Sequence, residues 1–148
     1  MKITLEKITD KNEVLSLSVS EEQKRFIATN ARSLEQAAET PFAEAFVIRA
    51  DGAAVGFALL VFEDEYEDDL DRYWLWRFMI DERYQRRGYG RAALCEIIRL
   101  FESRGAKNVR LSTKPDNTRA LSLYRSAGFL ENGQKNGEET VLEKRIKK

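Results

Sequence analysis

The chain has 148 residues, of which 43% are hydrophobic, so it can build one core of ordinary size but not two. It contains no histidine and only one cysteine, which excludes an internal disulfide, the usual histidine-based triads and most zinc sites. We therefore expect a single domain over residues 1–148 and no metal. Cys95 falls among apolar residues at helical spacing, which predicts a small core residue rather than a nucleophile.

The formal net charge is zero, but the charges are divided unevenly along the chain. Residues 1–84 carry 18 acids and 10 bases, whereas residues 85–148 carry 7 acids and 15 bases. This asymmetry suggests that partners of opposite sign meet in one molecule. The bases are scattered among predicted helices without the aromatic pattern of a stacking platform, so we do not expect nucleic acid.

The chain shows no feature of a membrane protein. It begins without a basic-then-apolar signal, and its longest apolar stretches fall short of the roughly 18 residues that cross a bilayer. We therefore predict a cytoplasmic protein with no membrane partner. The sequence leaves the oligomeric state open, a homodimer included.

The first half predicts a strand, a helical region and a hairpin. Residues 2–8 alternate between apolar and polar side chains, as in a strand, and a helical pattern follows them. Ser20, as an N-cap before two glutamates and a glutamine, predicts a second short helix over residues 20–30, and Pro41 ends the helical region. Asp51-Gly52 between two β-rich runs is a strong hairpin signal.

The second half alternates strands with helices. An acidic segment, 63–71, leads into a strand over 73–80 and a helix over 91–105. A strand over 107–112, a helix that ends at Gly128 and a final hairpin with a turn through Gly133 and Gly137 complete the chain. The order β-α-α-β-β-β-α-β-α-β-β places antiparallel pairs first and a crossover in the middle, so we predict an α/β fold with a mixed sheet.

The stretch QRRGYG, residues 85–90, lies between a predicted strand and a predicted helix. It matches G-x-G-x-x-A, but seven residues separate the strand from Gly88, so the dinucleotide-binding unit does not fit. A nucleotide-hydrolase loop also fails, because Gly90 is followed by arginine and alanine. Free amides at a helix N-terminus and glycines that allow close approach still predict a pyrophosphate ligand. The two glycines alone are also typical of a tight strand-to-helix turn with no ligand.

Two motifs carry a resemblance to a known family. FMIDERYQRRGYGRAAL, residues 78–94, resembles motif A of the GNAT superfamily of acetyl-CoA-dependent N-acetyltransferases. NTRALSLYRSAGF, residues 117–129, resembles the second GNAT signature at the expected distance. Nearly the whole chain is similar to bacterial spermine/spermidine N-acetyltransferases, through VSEEQ, VGFALL, FMIDERYQ and the late Asn-Gly turn.

The resemblance implies acetyl-CoA as co-substrate and a GNAT fold. The pyrophosphate would lie on the loop formed by Gln85, Arg86, Arg87, Gly88, Tyr89, Gly90 and Arg91. The pantetheine arm would pair with a strand edge at Phe78, Met79 and Ile80, as an added strand does. Asn117 and Tyr124 would flank the thioester, and Arg86, Arg87, Lys114, Arg119 and Arg125 are available for phosphate charge.

The resemblance also implies acetyl transfer to a primary amine by direct attack. Tyr124 would protonate the leaving thiolate. Where several polyamine-acetylating relatives carry an acid in the fourth strand, this sequence has Trp76. The proton acceptor would then be Glu63, at the end of strand three, or Glu82, either of them acting through water.

The acidic segment suggests the acceptor, because an acidic rim concentrates a polycation and holds its remote ammonium groups. The predicted substrate-binding residues are Glu63, Glu65, Glu67, Asp68, Trp76 and Glu82. The same run is also typical of a solvated, self-repelling loop. Besides a small polyamine, the acceptor could be an amino acid, a peptide amine or an aminoglycoside, and a non-catalytic acetyl-CoA-binding module is a third alternative.

Overall fold

The computed structural model describes residues 2–26, 28–63, 67–68 and 70–146. The strands are β1 (Ile3–Lys7), β2 (Ala43–Ala50), β3 (Ala53–Phe62), β4 (Tyr73–Ile80), β5 (Asn108–Thr113), β6 (Leu130–Asn136) and β7 (Glu139–Arg145). The helices are α1 (Asn12–Leu15), α2 (Asn30–Glu39), α3 (Tyr89–Ser103) and α4 (Thr118–Ser126), with short 3₁₀ turns at Lys24–Phe26 and Glu82–Tyr84. This order confirms the predicted one.

The seven strands form one mixed sheet in the order β1-β2-β3-β4-β5-β7-β6. Strands β1 to β4 are antiparallel neighbours, β4 and β5 run parallel through the crossover helix α3, and β5, β7 and β6 are again antiparallel. The mixed α/β sheet predicted from the sequence is therefore confirmed. The hairpin between β2 and β3 turns at Asp51-Gly52, where both residues have positive φ, as its sequence predicted.

Strand β4 departs from regular pairing in two ways that open the sheet. Leu60 pairs with Leu75 while Leu59 pairs with Arg77, so Trp76 is an extra residue, a β-bulge, on β4. On its other side β4 pairs with β5 only at Trp74 and Arg110. The two parallel strands therefore diverge beyond that point, and the C-terminal part of β4 presents an edge to the space between them.

Helices cover both faces of the sheet. On one face, α3 contributes Leu94, Ile97 and Phe101 to the larger cluster of buried residues. On the other face, Val14 and Leu17 pack with Phe57, Leu59 and Met79 of the strands.

Gly56 is required where β3 meets β4, because a Cβ there would collide with the carbonyl oxygen of Met79. No helix in the described ranges is long and apolar enough to cross a membrane.

Three local predictions were wrong. The final hairpin turns at residues 137–138 alone, because Gly133 lies within β6. The second helix is not at 20–30. Residues 21–23 make a turn, Lys24–Phe26 make a 3₁₀ turn, and Ile27 lies outside the described residues. The helix begins at Asn30 with Thr29 as its N-cap, whose Oγ1 accepts from the Arg32 amide at 3.1 Å. Cys95 is exposed rather than part of the core. It lies about 100° around α3 from Leu94, outside the arc that faces the sheet.

Candidate active site

A cavity of about 750 Å³ lies where β4 and β5 diverge. Every residue of β4 from Trp74 to Ile80 contributes to its wall, as do the loop before α3, the start of α4 and the facing ends of β5 and β7. Since the bulge and the single pairing position cause the divergence, the irregularities of β4 create the site. A cleft at the carboxyl end of a parallel strand pair is a common place for a ligand.

The loop before α3 is shaped to receive an anion. Arg86 and Gly88 both have positive φ, 64° and 82°, and α3 begins directly after Gly88. The amides of the first helical turn have no carbonyl partner within the helix, so they face the loop with the positive end of the helix dipole. No atom lies within 4 Å of a Cβ built on Gly88, so a phosphate has room to approach. These features fit the pyrophosphate of coenzyme A.

The loop is anchored by two side chains. The side-chain amide Nε2 of Gln85 donates to the backbone carbonyl of Ile80 at 2.8 Å and to Gln23 Oε1 at 2.9 Å. Asp81 is buried and accepts hydrogen bonds from the amides of Ser18 and Arg83 and from the Arg83 guanidinium. Burial alone would raise the pKa of Asp81, but these donors hold it below its usual range. The carboxylate therefore stays charged and fixes the start of the loop.

Only some of the arginines predicted to bind phosphate line the cavity. Arg86, Arg91 and Arg119 line it, so three cations lie beside the loop amides. The Arg87 guanidinium instead lies 5.8 Å from the centre of the Tyr84 ring, and Arg125 pairs with Glu131. Arg87 and Tyr89 are not among the described residues that line the cavity, so they contribute to the loop through their backbone.

The remaining predicted cofactor residues come together in the same cavity. Phe78, Met79 and Ile80 form the open edge of β4, and Asn117 and Tyr124 lie on the facing side. Asn117 caps α4, with its Oδ1 accepting from the Ala120 amide at 3.4 Å and its Nδ2 donating to Thr113 Oγ1 at 3.3 Å. The two signature motifs, distant in sequence, therefore form one cavity.

Tyr124 lies in the cavity wall, with its ring packed edge-on against Phe129 at 6.0 Å between centroids. Burial raises the pKa of Tyr124 well above its usual value, and the nearby negative charge of Glu139 adds to the effect. The hydroxyl therefore remains protonated at neutral and mildly alkaline pH. It can act as a proton donor in the cavity.

The end of the cavity away from the loop before α3 is aromatic and polar, and it includes residues that the sequence did not indicate. Trp74 and Trp76 line it together with Arg77 and Gln36. The Arg77 guanidinium donates to Gln36 Oε1 at 2.9 Å and to the carbonyl of Trp76 at 2.8 Å. Burial lowers the pKa of Arg77, although it remains a cation at any physiological pH.

Glu139 is a carboxylate in the cavity that sequence reasoning missed. It opens β7, and its Oε1 accepts a hydrogen bond from Ser112 Oγ of β5 at 2.6 Å. The predicted hairpin placed Glu139 on a strand. The insertion of β7 between β5 and β6 determines which residue of β5 lies beside Glu139 and how far Glu139 is from Tyr124. No local pattern in the sequence indicated that insertion.

The two acids predicted as proton acceptors lie elsewhere. Glu63 is not among the described residues that line the cavity; its amide donates to the carbonyl of Arg72, and the adjacent Phe62 pairs with Tyr73 at the start of β4. This position argues against Glu63 as the proton acceptor, because antiparallel pairing carries the end of β3 away from Phe78 to Ile80. Glu82 is exposed and lines a shallow depression beside Gln85 and Arg86.

The acidic segment is described only in part. Glu65 and its neighbours Asp64, Tyr66 and Asp69 lie outside the described residues. Glu67 and Asp68 are exposed, and neither is among the described residues of the cavity wall. Asp71, the last acid of the segment, accepts from the Trp74 indole at 2.9 Å and from Arg110 at 3.0 Å. The segment thus joins the cavity wall at Trp74.

Comparison with known proteins defines the class. Residues 11–129 match the Acetyltransferase (GNAT) family, and the chain belongs to this family. It is an N-acetyltransferase whose acetyl donor is acetyl-CoA, and enzymes of the family use no metal. The family, enzyme class and co-substrate predicted from the two motifs are confirmed.

Individual relatives agree with this assignment. The chain is 36% identical over 149 residues to a spermine/spermidine N(1)-acetyltransferase of Bacillus subtilis, covering 96% of this chain and 98% of that protein. It is 40% identical over 62 residues, 42% of each chain, to an Escherichia coli [ribosomal protein bS18]-alanine N-acetyltransferase. Its fold matches the PaiA N-acetyltransferase of Thermoplasma acidophilum in complex with coenzyme A, with TM-score 0.71, 18% identity and coverage of 99% and 100%.

Proposed function

We propose that this enzyme acetylates a primary amine of a small polyamine such as spermine or spermidine. The observation that carries the proposal is the similarity along nearly the whole chain to a spermine/spermidine N(1)-acetyltransferase. A similarity confined to the coenzyme-binding motifs would indicate only the acetyl donor. Here it extends over the elements that form the acceptor end of the cavity as well.

The donor half of the reaction relies on the loop and on β4. The amides before and within the first turn of α3 bind the pyrophosphate, with Arg86, Arg91 and Arg119 supplying positive charge. The open edge of β4 from Phe78 to Ile80 pairs with the pantetheine arm, whose amides can complete an added strand. Acetyl-CoA, when bound, supplies an acetyl group on a good leaving group.

Tyr124 is the proton donor for the departing thiolate. It lies in the cavity facing the edge of β4 and stays protonated because burial raises its pKa. Asn117, held at the start of α4, fixes the position of the helix that carries Tyr124. General acids of this kind typically contribute about 10²–10⁴ in rate.

The acceptor end suits a long cation with apolar spacers. Trp74 and Trp76 offer aromatic faces, on which ammonium groups and methylene chains both pack favourably. The acidic segment reaches the cavity at Trp74 through Asp71, so Glu67 and Asp68 can attract the remote ammonium groups from outside. An acidic rim outside the cavity binds those groups without raising the pKa of the reacting amine.

The test is acetyl-CoA turnover with a panel of amines, followed by release of the coenzyme A thiol. We expect kcat/KM to be highest for spermine or spermidine and lower by at least tenfold for a monoamine, an amino acid and an aminoglycoside. Turnover of a different amine with higher kcat/KM would overturn the polyamine assignment. It would leave the acetyltransferase class intact.

A second candidate acceptor is an N-terminal amine of a protein. The partial similarity to a [ribosomal protein bS18]-alanine N-acetyltransferase favours it, although only 62 residues are involved. A peptide with an N-terminal alanine therefore belongs in the panel. Turnover of that peptide above the polyamines would support this second acceptor.

A further inference from the structure

Glu139 is the one carboxylate among the described residues that line the cavity. The charged side chains around it are cationic: Arg77 on β4, Arg86 and Arg91 at the loop and Arg119 on α4. The first of these belongs to the acceptor end and the other three to the phosphate end. A lone carboxylate in the cavity wall is the feature that an ammonium substrate would recognise.

The carboxylate of Glu139 is held in place from the sheet. Ser112 Oγ donates to Oε1 at 2.6 Å, and the Asn136 amide donates to Ser112 Oγ at 3.4 Å. Within the described part of the chain, no residue donates a hydrogen bond to the second oxygen, Oε2. One oxygen is therefore used for orientation, and the other remains available to a ligand in the cavity.

The position of Glu139 connects the acceptor end with Tyr124. Its negative charge adds to the effect of burial in raising the pKa of Tyr124, and it opposes the effect of burial on the pKa of Arg77. Glu139 thus lies within electrostatic reach of both residues. The positive charge of Arg32 on α2 also lowers the pKa of Arg77, and the hydrogen bonds of Ser112 and Asn136 lie beside the carboxylate.

We propose that Glu139 binds the reacting ammonium of the acceptor and accepts its proton. This proposal rests on the proposed acetylation of an amine. Oε2 takes the ammonium proton and passes it to water, which leaves a neutral nitrogen with a free electron pair. The ordinary pKa values of a glutamate and an alkylammonium, about 4.3 and 10.4, oppose this transfer in water. The neutral amine is therefore a minor species, which acetylation consumes as it forms.

The remaining protons balance as follows. The nitrogen forms a bond to the acetyl carbon, the carbon–sulfur bond breaks, and the sulfur takes the proton of the Tyr124 hydroxyl. The second N–H proton is lost to water, and the Tyr124 oxygen regains a proton from water, which restores the phenol. One proton is released to solvent for each amine acetylated.

The test compares three variants with the wild type. Glu139→Gln keeps an oxygen that can accept the Ser112 hydrogen bond but removes the charge and the basicity. Glu138→Gln is the matched control, because Glu138 is an exposed acid on the same turn and is not among the described residues of the cavity. Ser112→Ala removes the orienting hydrogen bond and leaves the carboxylate.

The readouts are kcat/KM for spermidine from neutral to alkaline pH, the affinity for acetyl-CoA, and turnover of an aminooxy analogue whose nitrogen is neutral at pH 7. We expect Glu139→Gln to lower kcat/KM for spermidine about 10²-fold at pH 7, in line with the loss of a general base. The deficit should shrink as the pH rises and neutral amine becomes abundant, and it should be small for the aminooxy analogue. Ser112→Ala should lose less, and Glu138→Gln should match the wild type.

A Glu139→Gln enzyme that matches Glu138→Gln overturns the proposal. A deficit of equal size at every pH and for both acceptors also overturns it, because it would indicate a structural role. If the wild type prefers another amine, the same variants are compared on that amine. The amine panel therefore tests the polyamine assignment, and the comparison of the variants on the preferred amine tests the role of Glu139 separately.

Discussion

Gly90→Glu separates the role of the loop in binding from its role in folding. Gly90 is the second residue of α3, and a Cβ there would lie 3.7 Å from Leu123 Cδ2 and 3.9 Å from Ile80 Cγ1, both ordinary contacts. Gly88, in contrast, has a φ of 82°, so any side chain there strains the backbone and would confuse the result. The substitution at position 90 therefore leaves the fold intact.

The expected effects on stability and binding have opposite signs. Replacing glycine within a helix by a better helix former gains roughly 0.5–1 kcal/mol, and an acid in the first turn adds about 0.3–1 kcal/mol. The midpoint of thermal unfolding should rise by roughly 2–4 °C for each kcal/mol gained. A carboxylate about 4 Å from a phosphate charge costs about 4 kcal/mol at an effective dielectric constant near 20. We therefore expect a loss of up to about 10³-fold in coenzyme A affinity.

Calorimetric titration with coenzyme A at low and high salt, together with thermal unfolding, measures both effects. Gly90→Gln is the control of equal size without charge, and it should lose much less affinity. Added salt should reduce the difference between the two variants, because exposed charges are screened over about 10 Å at 0.1 M. A folded Gly90→Glu enzyme that binds coenzyme A like the wild type would refute the assignment of the loop, and equal losses in both variants would refute the electrostatic argument.

Three further predictions concern other parts of the molecule. Tyr124→Phe should lower kcat by about 10²–10⁴ with little change in acetyl-CoA affinity, and spectrophotometric titration should find the Tyr124 phenol ionising above the usual value of about 10. A fall of less than a few-fold under rate-limiting chemistry would point to another proton donor. Replacing Glu65 and Glu67 by glutamine, and Asp68 and Asp69 by asparagine, should raise KM more for spermine than for spermidine and hardly at all for a monoamine. Each exposed pair of a carboxylate and a substrate ammonium contributes about 0.2–1 kcal/mol to binding. Equal changes in KM for all three amines would assign the segment to a solvated loop. Gly56→Ala should destabilise the fold by roughly 1–3 kcal/mol in chemical denaturation, because its Cβ meets the backbone of β4, and an unchanged stability would mean that β3 and β4 can move apart.

Local patterns determined most of the fold. The strand over residues 73–80 was predicted with the bounds that it has, because its boundaries follow from an apolar run between an acidic segment and Asp81. The second helix was misplaced for the converse reason. Both Ser20 and Thr29 are good N-caps, and a cap signal does not show how many helical turns follow it. The prediction that Cys95 is buried was wrong for a similar reason, since the width of the buried face of α3 depends on what the helix packs against.

The sequence by itself determined the family and indicated the residues that we propose for the acetyl donor. Residues 85–91 are contiguous, so their backbone shape and the helix N-terminus behind them follow from the local sequence and its glycines. Only the tertiary structure brought together the residues of the proposed acceptor end. Trp74, Ser112 and Glu139 belong to three strands, and they meet because β4 bulges at Trp76, β5 diverges from it and β7 inserts beside β5. Strand order and divergence arise from packing between distant segments, which no local pattern encodes. For the same reason the sequence indicated Glu63, an acid at the end of the strand beside β4, whereas the described acid in the cavity is Glu139, which pairing of β7 with β5 brings in from the last hairpin.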